Sequence, residues 1–132
     1  MATRSTIWAK LPDGTLKGIY CHFDGYPSHN GNLLLKHYTS TEKVAELLAL
    51  GDISQLRAEV HPDPSQPHSY KYPQEGVCVA YHRDRGEEWK GFTGPIMAGM
   101  IEGYNYKFQD DRWFIRTDTG KEWTVLVEVP NV

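Results

Sequence analysis

Apolar and polar side chains alternate between Ile19 and Asp24, a pattern that predicts a β-strand with one apolar and one polar face. The strand runs into a predicted turn at residues 24–25, because Asp-Gly permits positive φ and Pro27 lacks a backbone N–H donor. Residues 18–26 also bring a thiol, an imidazole, a carboxylate and two phenols close together. This stretch is therefore the first candidate for a functional surface.

Six segments in all have the apolar content and length of strands, and the second of them contains the start of the alternating stretch described above. They cover residues 5–11, 15–22, 77–82, 104–108, 112–116 and 123–129. A Pro-Asp-Gly turn at residues 12–14 predicts that the first two form an antiparallel hairpin, and further turns are predicted at residues 109–111 and 118–120. The segment 77–82 is apolar without alternation, which predicts a central strand covered on both faces.

A capping box predicts where the clearest helix begins. In this motif the side chains of Thr39 and Glu42 each satisfy a backbone N–H group of the first turn. An apolar stripe follows, and Gly51 is expected to end the helix in a left-handed conformation. Shorter helical segments are predicted over residues 33–38 and 52–56. We expect the helices to pack on one face of the sheet.

Together these patterns predict an α+β fold in a single domain, residues 1–132. The sheet is expected to be mainly antiparallel, with about six strands, one long helix and one or two short helices. Two connections have unusual compositions. Residues 61–74 contain four prolines, which predict a binding loop or an arm onto a second subunit. Residues 89–100 are rich in glycine, which predicts a flexible link with one helical turn.

The formal net charge of −3 argues against a broad DNA-binding surface, because such surfaces need clustered lysine and arginine. The N-terminus lacks the pattern of a secretory signal, and no apolar run approaches the roughly 20 residues that span a bilayer. We therefore expect a soluble, cytoplasmic protein. Cys21 and Cys78 lie in predicted strands, where a disulfide is conceivable, but free buried thiols are favoured.

His22 and Asp24 are two residues apart on the predicted strand, so their side chains would point in the same direction. The carboxylate could orient the imidazole, or both groups could bind a metal. No other histidine repeats a known metal-ligand spacing, and the favoured interpretation has Asp24 capping its own turn, with no metal or cofactor. Cys21 precedes His22, but neighbouring strand residues point to opposite faces. No catalytic residue is assigned.

The densest charge cluster is the RDRGE string at residues 83–87, directly after an apolar strand. Side chains gather around ligands at such positions in sheet proteins. Arg83 and Arg85 are two residues apart, so they could point the same way and bind a phosphate or carboxylate through paired N–H donors. The alternative is a solvated loop in which the acidic neighbours neutralise both arginines.

A ligand site becomes the better interpretation if residues 22–26 meet residues 83–87 in space. Aromatic rings near both stretches, such as those of Tyr81 and Trp89, could then stack on a base. The predicted ligand-binding residues are His22, Asp24, Tyr26, Arg83, Arg85 and Glu87.

The YCHFDGY string at residues 20–26 and the RDRGE string resemble a family of small bacteriophage and prophage accessory proteins. The likeness extends over residues 4–7, 12–15, 50–54, 81–87 and 104–113. Phe23 and His82 depart from it, since Trp and Gly are expected there. The resemblance implies a phage origin and no settled activity. Small acidic phage proteins often act against host defence, by blocking an effector or by sequestering a nucleotide second messenger.

The leading hypothesis is a non-enzymatic, phage-encoded counter-defence protein that sequesters a nucleotide-like or other anionic small ligand as a homodimer or larger assembly. The alternative is an inhibitor whose acidic surface docks on a host defence or nucleic-acid-binding complex, as anti-CRISPR proteins do. A third hypothesis is a small hydrolase or nuclease that uses His22, Asp24 and Glu87 with a divalent metal.

Overall fold

The computed structural model describes residues 2–94, 100–117 and 122–130. Within these ranges the strands are β1 (Ser5–Lys10), β2 (Leu16–Cys21), β3 (Ile53–Gln55), β4 (Val79–Ala80), β5 (Phe92–Thr93), β6 (Tyr104–Gln109), β7 (Arg112–Thr117) and β8 (Thr124–Val125). They form one sheet in the order β4-β3-β2-β1-β6-β7-β8, and β5 pairs with β2. The predicted turn at residues 118–120 and residues 95–99 of the predicted flexible link lie outside the described residues.

The sheet is mixed. The pairs β1–β2, β3–β4 and β6–β7 are antiparallel, as are the short pairs β2–β5 and β7–β8, whereas β1–β6 and β2–β3 are parallel. The predicted α+β class is confirmed, but the sheet has more strands than the six predicted. Alternation of side chains determines which face of a strand is buried and does not identify its neighbour, so the parallel pairs could not be predicted.

Four segments have a different structure from the one predicted. In the predicted flexible link 89–100, residues 92–93 form β5, and the predicted strand 123–129 is a strand at residues 124–125 alone. Residues 52–56 contain β3 rather than a helical turn, because Ile53 pairs with Cys21 of β2 and with Ala80 of β4. Residues 77–82 form a two-residue edge strand rather than a central strand, and a helix begins at Tyr81. At this helix start the Asp84 carboxylate accepts the N–H group of Ala80 at 2.8 Å, a contact that favours the helical turn.

Three α-helices lie within the described residues, and a π-helical turn (Pro27–Gly31) precedes the first. They are α1 (Asn32–His37), α2 (Thr41–Ala49) and α3 (Tyr81–Arg85). The longest is α2 with nine residues, so the clearest predicted helix is present but short, and the described residues contain no long helix. The N-cap of α2 is Ser40 rather than Thr39, and the Ser40 hydroxyl accepts the N–H group of Lys43 at 3.2 Å. None of these helices has the length and apolar character that crossing a membrane requires.

Both faces of the central strands are covered. On one face the buried stripe of α2, which includes Val44, packs on the apolar side chains of β1 and β2. On the other face Trp8 is fully buried and stacks on Phe92 of β5 at 5.4 Å. A Cβ atom at Gly18 would lie 2.5 Å from the Trp8 ring, so only glycine fits beneath the indole. The two cysteines are buried and free.

Candidate functional site

A cleft of about 270 Å³ opens between β2, the residue before β3, α3 and the segment that follows α3. Its lining consists of aromatic and charged side chains from these four segments: Tyr20, Asp52, Tyr81, His82, Arg85, Glu87, Glu88 and Lys90. Concave sites lined by aromatic surface and a few polar groups are the usual places for small ligands. We therefore take this cleft as the candidate functional site.

Asp52 is fixed in the cleft wall by its neighbours. The backbone N–H group of Tyr20 donates to Asp52 Oδ1 at 3.0 Å. The Asp52 N–H group donates to the carbonyl oxygen of Lys90 at 2.8 Å, and the Asp52 carbonyl oxygen accepts the N–H group of Tyr81 at 3.3 Å. Burial raises the pKa of the Asp52 carboxyl, although the Tyr20 hydrogen bond and the charge of Lys90 oppose this shift.

Lys90 lies at the cleft because the Lys90 backbone packs closely against Gly51, which has no side chain in the way. Gly51 has the predicted left-handed φ of 76°, and a Cβ atom there would lie 2.6 Å from the Lys90 carbonyl oxygen. The neighbouring Trp89 indole N–H group donates to the carbonyl oxygen of Ala49 at 3.0 Å. Among the described residues the Lys90 ammonium group has no salt-bridge partner. The cleft therefore contains one cation that is free to bind an anion.

Arg85 and Glu87 both line the cleft, where they form an ion pair. The guanidinium carbon of Arg85 lies 4.4 Å from the centre of the Tyr70 ring and 5.0 Å from that of Tyr81. The two rings stack on each other at 5.7 Å. These cation–π contacts hold the arginine in place, while its side chain remains 48% exposed and can accept a further anionic partner.

Arg83 has a different position and does not line the cleft. Its guanidinium group donates to the carbonyl oxygens of Val60 at 2.6 Å and Cys78 at 2.7 Å. Its Nε–H group donates to Asp84 Oδ1 at 2.7 Å. The expectation that Arg83 and Arg85 point the same way is wrong, because they lie in a helix, where residues two apart are about 200° apart around the axis.

Asp84 connects Arg83 to the proline-rich segment 61–74. Its Oδ2 atom lies 3.1 Å from His68 Nε2, and the side chains of His68 and Asp84 are 5% and 2% exposed. Burial raises the pKa of the Asp84 carboxyl, but hydrogen bonds from Arg83, Ala80 and His68 outweigh this effect, so the pKa is lowered overall. Segment 61–74 is thus anchored on α3 of its own chain.

The pair of His22 and Asp24, which is the less favoured interpretation of the sequence, does not form, because β2 ends at Cys21. His22 instead shares a hydrogen bond of 2.7 Å with the Tyr20 hydroxyl group, through Nδ1, and so lies next to the cleft without lining it. Asp24 adopts a φ of 59°, and its Oδ1 atom accepts the Tyr26 hydroxyl group at 3.4 Å. Neither Asp24 nor Tyr26 lines the cleft.

Sequence reasoning missed Tyr20, Asp52 and Lys90 as cleft residues. For Tyr20 a signal was present, because it lies two positions before His22 on the polar face of the predicted strand. Asp52 directly follows the C-cap glycine of α2, but this position alone does not predict a ligand site. Lys90 has no signal in the sequence, because its position depends on backbone packing against Gly51.

The candidate catalytic groups that the sequence suggests are not brought together among the described residues. No group of three or more His, Cys, Asp or Glu side chains among them is arranged to hold a metal ion. Burial raises the pKa of the Cys21 thiol to about 12, so little nucleophilic thiolate forms at neutral pH. For the hydrolase hypothesis, His22 contacts Tyr20, Asp24 contacts Tyr26, and Glu87 pairs with Arg85. The three predicted residues therefore do not form one catalytic site.

A comparison of this chain with protein-family models, with curated proteins and with solved structures finds no match. The resemblance of residues 20–26 and 83–87 to phage accessory proteins therefore stays a prediction from the sequence.

Proposed function

We propose that this chain is a phage-encoded accessory protein that binds a small nucleotide-like or other anionic ligand without catalysis and sequesters it. The ligand occupies the cleft, with its anionic group near Lys90 and Arg85. The observation that carries the proposal is the free Lys90 ammonium group in a cleft with aromatic walls.

The roles differ from those expected from the sequence. Lys90 replaces Arg83 as the second cation, because the Arg83 donors are already bound to Val60, Cys78 and Asp84. His22 acts through Tyr20, whose hydroxyl group it contacts at 2.7 Å. Planar surface for a heterocycle is provided by the Tyr20 ring and by the Tyr81 ring together with the Arg85 guanidinium group that lies over it at 5.0 Å.

The test is a calorimetric titration of the purified protein with nucleoside monophosphates and, separately, with inorganic phosphate. We expect binding of at least one nucleotide, and we expect a variant with Arg85→Ala and Lys90→Ala to bind it at least about tenfold more weakly. Each hydrogen bond to a charged group contributes roughly 1.5–3 kcal/mol, and about 1.4 kcal/mol is a factor of ten in affinity.

The matched control is a variant with Lys36→Ala and Arg112→Ala, which removes the same charges from exposed positions outside the cleft. Its affinity should equal that of the wild type. Native mass spectrometry of the same samples gives the number of subunits and the stoichiometry. The proposal is contradicted if no nucleotide binds to the wild type, or if the two double variants lose the same amount of nucleotide affinity.

A second candidate function, inhibition of a host protein by direct docking, is supported by a different surface. Phe23 and Tyr26 are each 37% exposed on the loop after β2. The loop backbone is fixed, because the N–H group of Gly25 donates to the carbonyl oxygen of Thr3 at 2.8 Å and the Tyr106 hydroxyl group donates to that of Gly25 at 2.6 Å. Rigid loops with exposed aromatic side chains suit protein recognition.

The docking function predicts that the protein captures a host partner in a salt-dependent pull-down. Changing both Phe23 and Tyr26 to alanine should abolish capture and leave nucleotide titrations unchanged. Capture that persists in this variant excludes the loop as the docking surface.

A further inference from the structure

The Asp52 carboxylate has acceptor capacity that the protein does not use. Its Oδ1 atom accepts one N–H group, from Tyr20, and its Oδ2 atom has no hydrogen-bond partner among the described residues. An ionised carboxylate only accepts hydrogen bonds and offers about four acceptor sites. Because its backbone is held on both sides by Lys90 and Tyr81, the carboxylate is a fixed acceptor for N–H donors of a ligand.

The balance of charges limits what such a ligand can be. Three carboxylates (Asp52, Glu87 and Glu88) and two cations (Arg85 and Lys90) line the cleft. Arg85 and Glu87 pair with each other, which leaves Lys90 to attract an anionic group and the Asp52 carboxylate to accept N–H donors. A ligand in which a neutral group with N–H donors is linked to an anionic group can bind both the carboxylates and the cations of the cleft.

The shape of the cleft favours a planar group. Tyr81 is held by stacking on Tyr70 with an angle of 29° between the rings, so its ring is a fixed wall. Tyr20 contributes a second ring to the lining. Aromatic faces of this kind stack on heterocyclic bases, and a volume of about 270 Å³ is small for a ligand pocket. A single nucleotide suits this space better than a dinucleotide.

We infer that the cleft selects a guanine nucleotide, with Asp52 accepting the adjacent N1–H and N2–H groups of the base and Lys90 binding the phosphate. This inference rests on the proposed function. The Watson–Crick edge of a base is the usual element that proteins read in an extruded or free nucleotide. Guanine presents two donors there, whereas adenine presents an acceptor at N1, which an ionised carboxylate disfavours.

The experiment is a calorimetric titration of the full chain with guanosine, inosine, adenosine and xanthosine monophosphates, for the wild type and for Asp52→Asn. In the wild type we expect the guanosine nucleotide to bind at least about tenfold more tightly than the inosine nucleotide, which lacks the N2 amino group. In Asp52→Asn we expect guanosine monophosphate to lose at least about tenfold in affinity. Xanthosine monophosphate should gain affinity, because the asparagine amide can donate to its C2 carbonyl group.

Asparagine retains the acceptor for the Tyr20 N–H group, so Asp52→Asn should fold, and its melting curve is recorded alongside. Asp110→Asn, a change at an exposed position outside the cleft, should bind all four nucleotides as the wild type does. Equal wild-type affinities for the four nucleotides, or an unchanged guanosine affinity in Asp52→Asn, overturn the inference and leave the proposed function standing. Absence of binding by all four overturns both.

Discussion

Arg83 and Arg85 lie two residues apart in α3, yet their guanidinium groups have opposite surroundings. Arg83 bonds to the carbonyl oxygens of Val60 and Cys78 and to the Asp84 carboxylate. Arg85 lies over two tyrosine rings at the cleft, paired with a partly exposed carboxylate. The first arginine joins segments of the fold, and the second is available to a ligand.

This difference separates an arginine whose donors are bound within the protein from one whose guanidinium group stays partly exposed at the cleft. In the Arg83 network the donors meet acceptors within the protein, and the Asp84 side chain is almost fully buried. In the cleft, the Asp52 Oδ2 atom and the Lys90 ammonium group have no such partners among the described residues. Polar groups without protein partners are the ones that a ligand can use.

The largest expected effect is on stability. Arg83→Ala should lower the free energy of unfolding by about 3 kcal/mol, because it leaves the buried Asp84 carboxylate without its cation. Arg85→Ala should lower it by less than about 1 kcal/mol, since exposed ion pairs contribute little. Urea unfolding followed by tryptophan fluorescence measures both values. Equal effects of the two substitutions would remove the distinction between the two arginines.

A smaller effect concerns the dependence of stability on pH. The pKa of Asp84 is lowered in the folded protein from its ordinary value of 3.8, so its stabilising contribution is fully present above that value. The contribution is lost as the pH falls through the lowered pKa of the folded state.

Free energies of unfolding of the wild type and Asp84→Asn should therefore differ most near neutral pH and approach each other in strong acid. A difference that stays constant over this range would show that the charge of Asp84 does not cause its effect.

The smallest expected effect has the opposite sign and concerns Asp52. Burial raises the pKa of this carboxyl in the folded state, so folding is relatively favoured below the unfolded-state pKa, and this advantage is lost as the pH rises through the folded-state pKa. The Asp52→Asn variant buries no charge at this position, so we expect its melting temperature at pH 7 to be slightly higher than that of the wild type. Calorimetric melting curves test this, and a lower melting temperature would show that the carboxylate is structural.

Local structure could be predicted where local chemistry determines it. The hairpin of β1 and β2 follows from the Pro-Asp-Gly turn and alternating side chains, and the end of α2 follows from Gly51, whose left-handed φ is confirmed. The start of α3 could not be predicted in this way, because the apolar run 77–82 suits a strand. In the structure the helix begins at Tyr81, where the Asp84 carboxylate accepts the Ala80 N–H group.

The candidate site could be predicted only in part. Arg85 and Glu87 belong to a conspicuous charge cluster, so composition alone indicates them. Their separation from Arg83 could not be foreseen, because the direction of a side chain depends on whether its backbone is a strand or a helix. The spacing of His22 and Asp24 allows a pair as an alternative, but β2 ends at Cys21 and His22 hydrogen-bonds to the Tyr20 hydroxyl group instead.

The sequence by itself determined the α+β class, the apolar faces of the long strands, and the local turns and caps. These features depend on side chains a few residues apart, which are within reach of one another in any compact state. Only the tertiary structure decided that β1 pairs in parallel with β6 and that Lys90 lies beside Asp52. Such contacts join distant segments, and their free energy depends on how the whole core packs around Gly51 and the sheet.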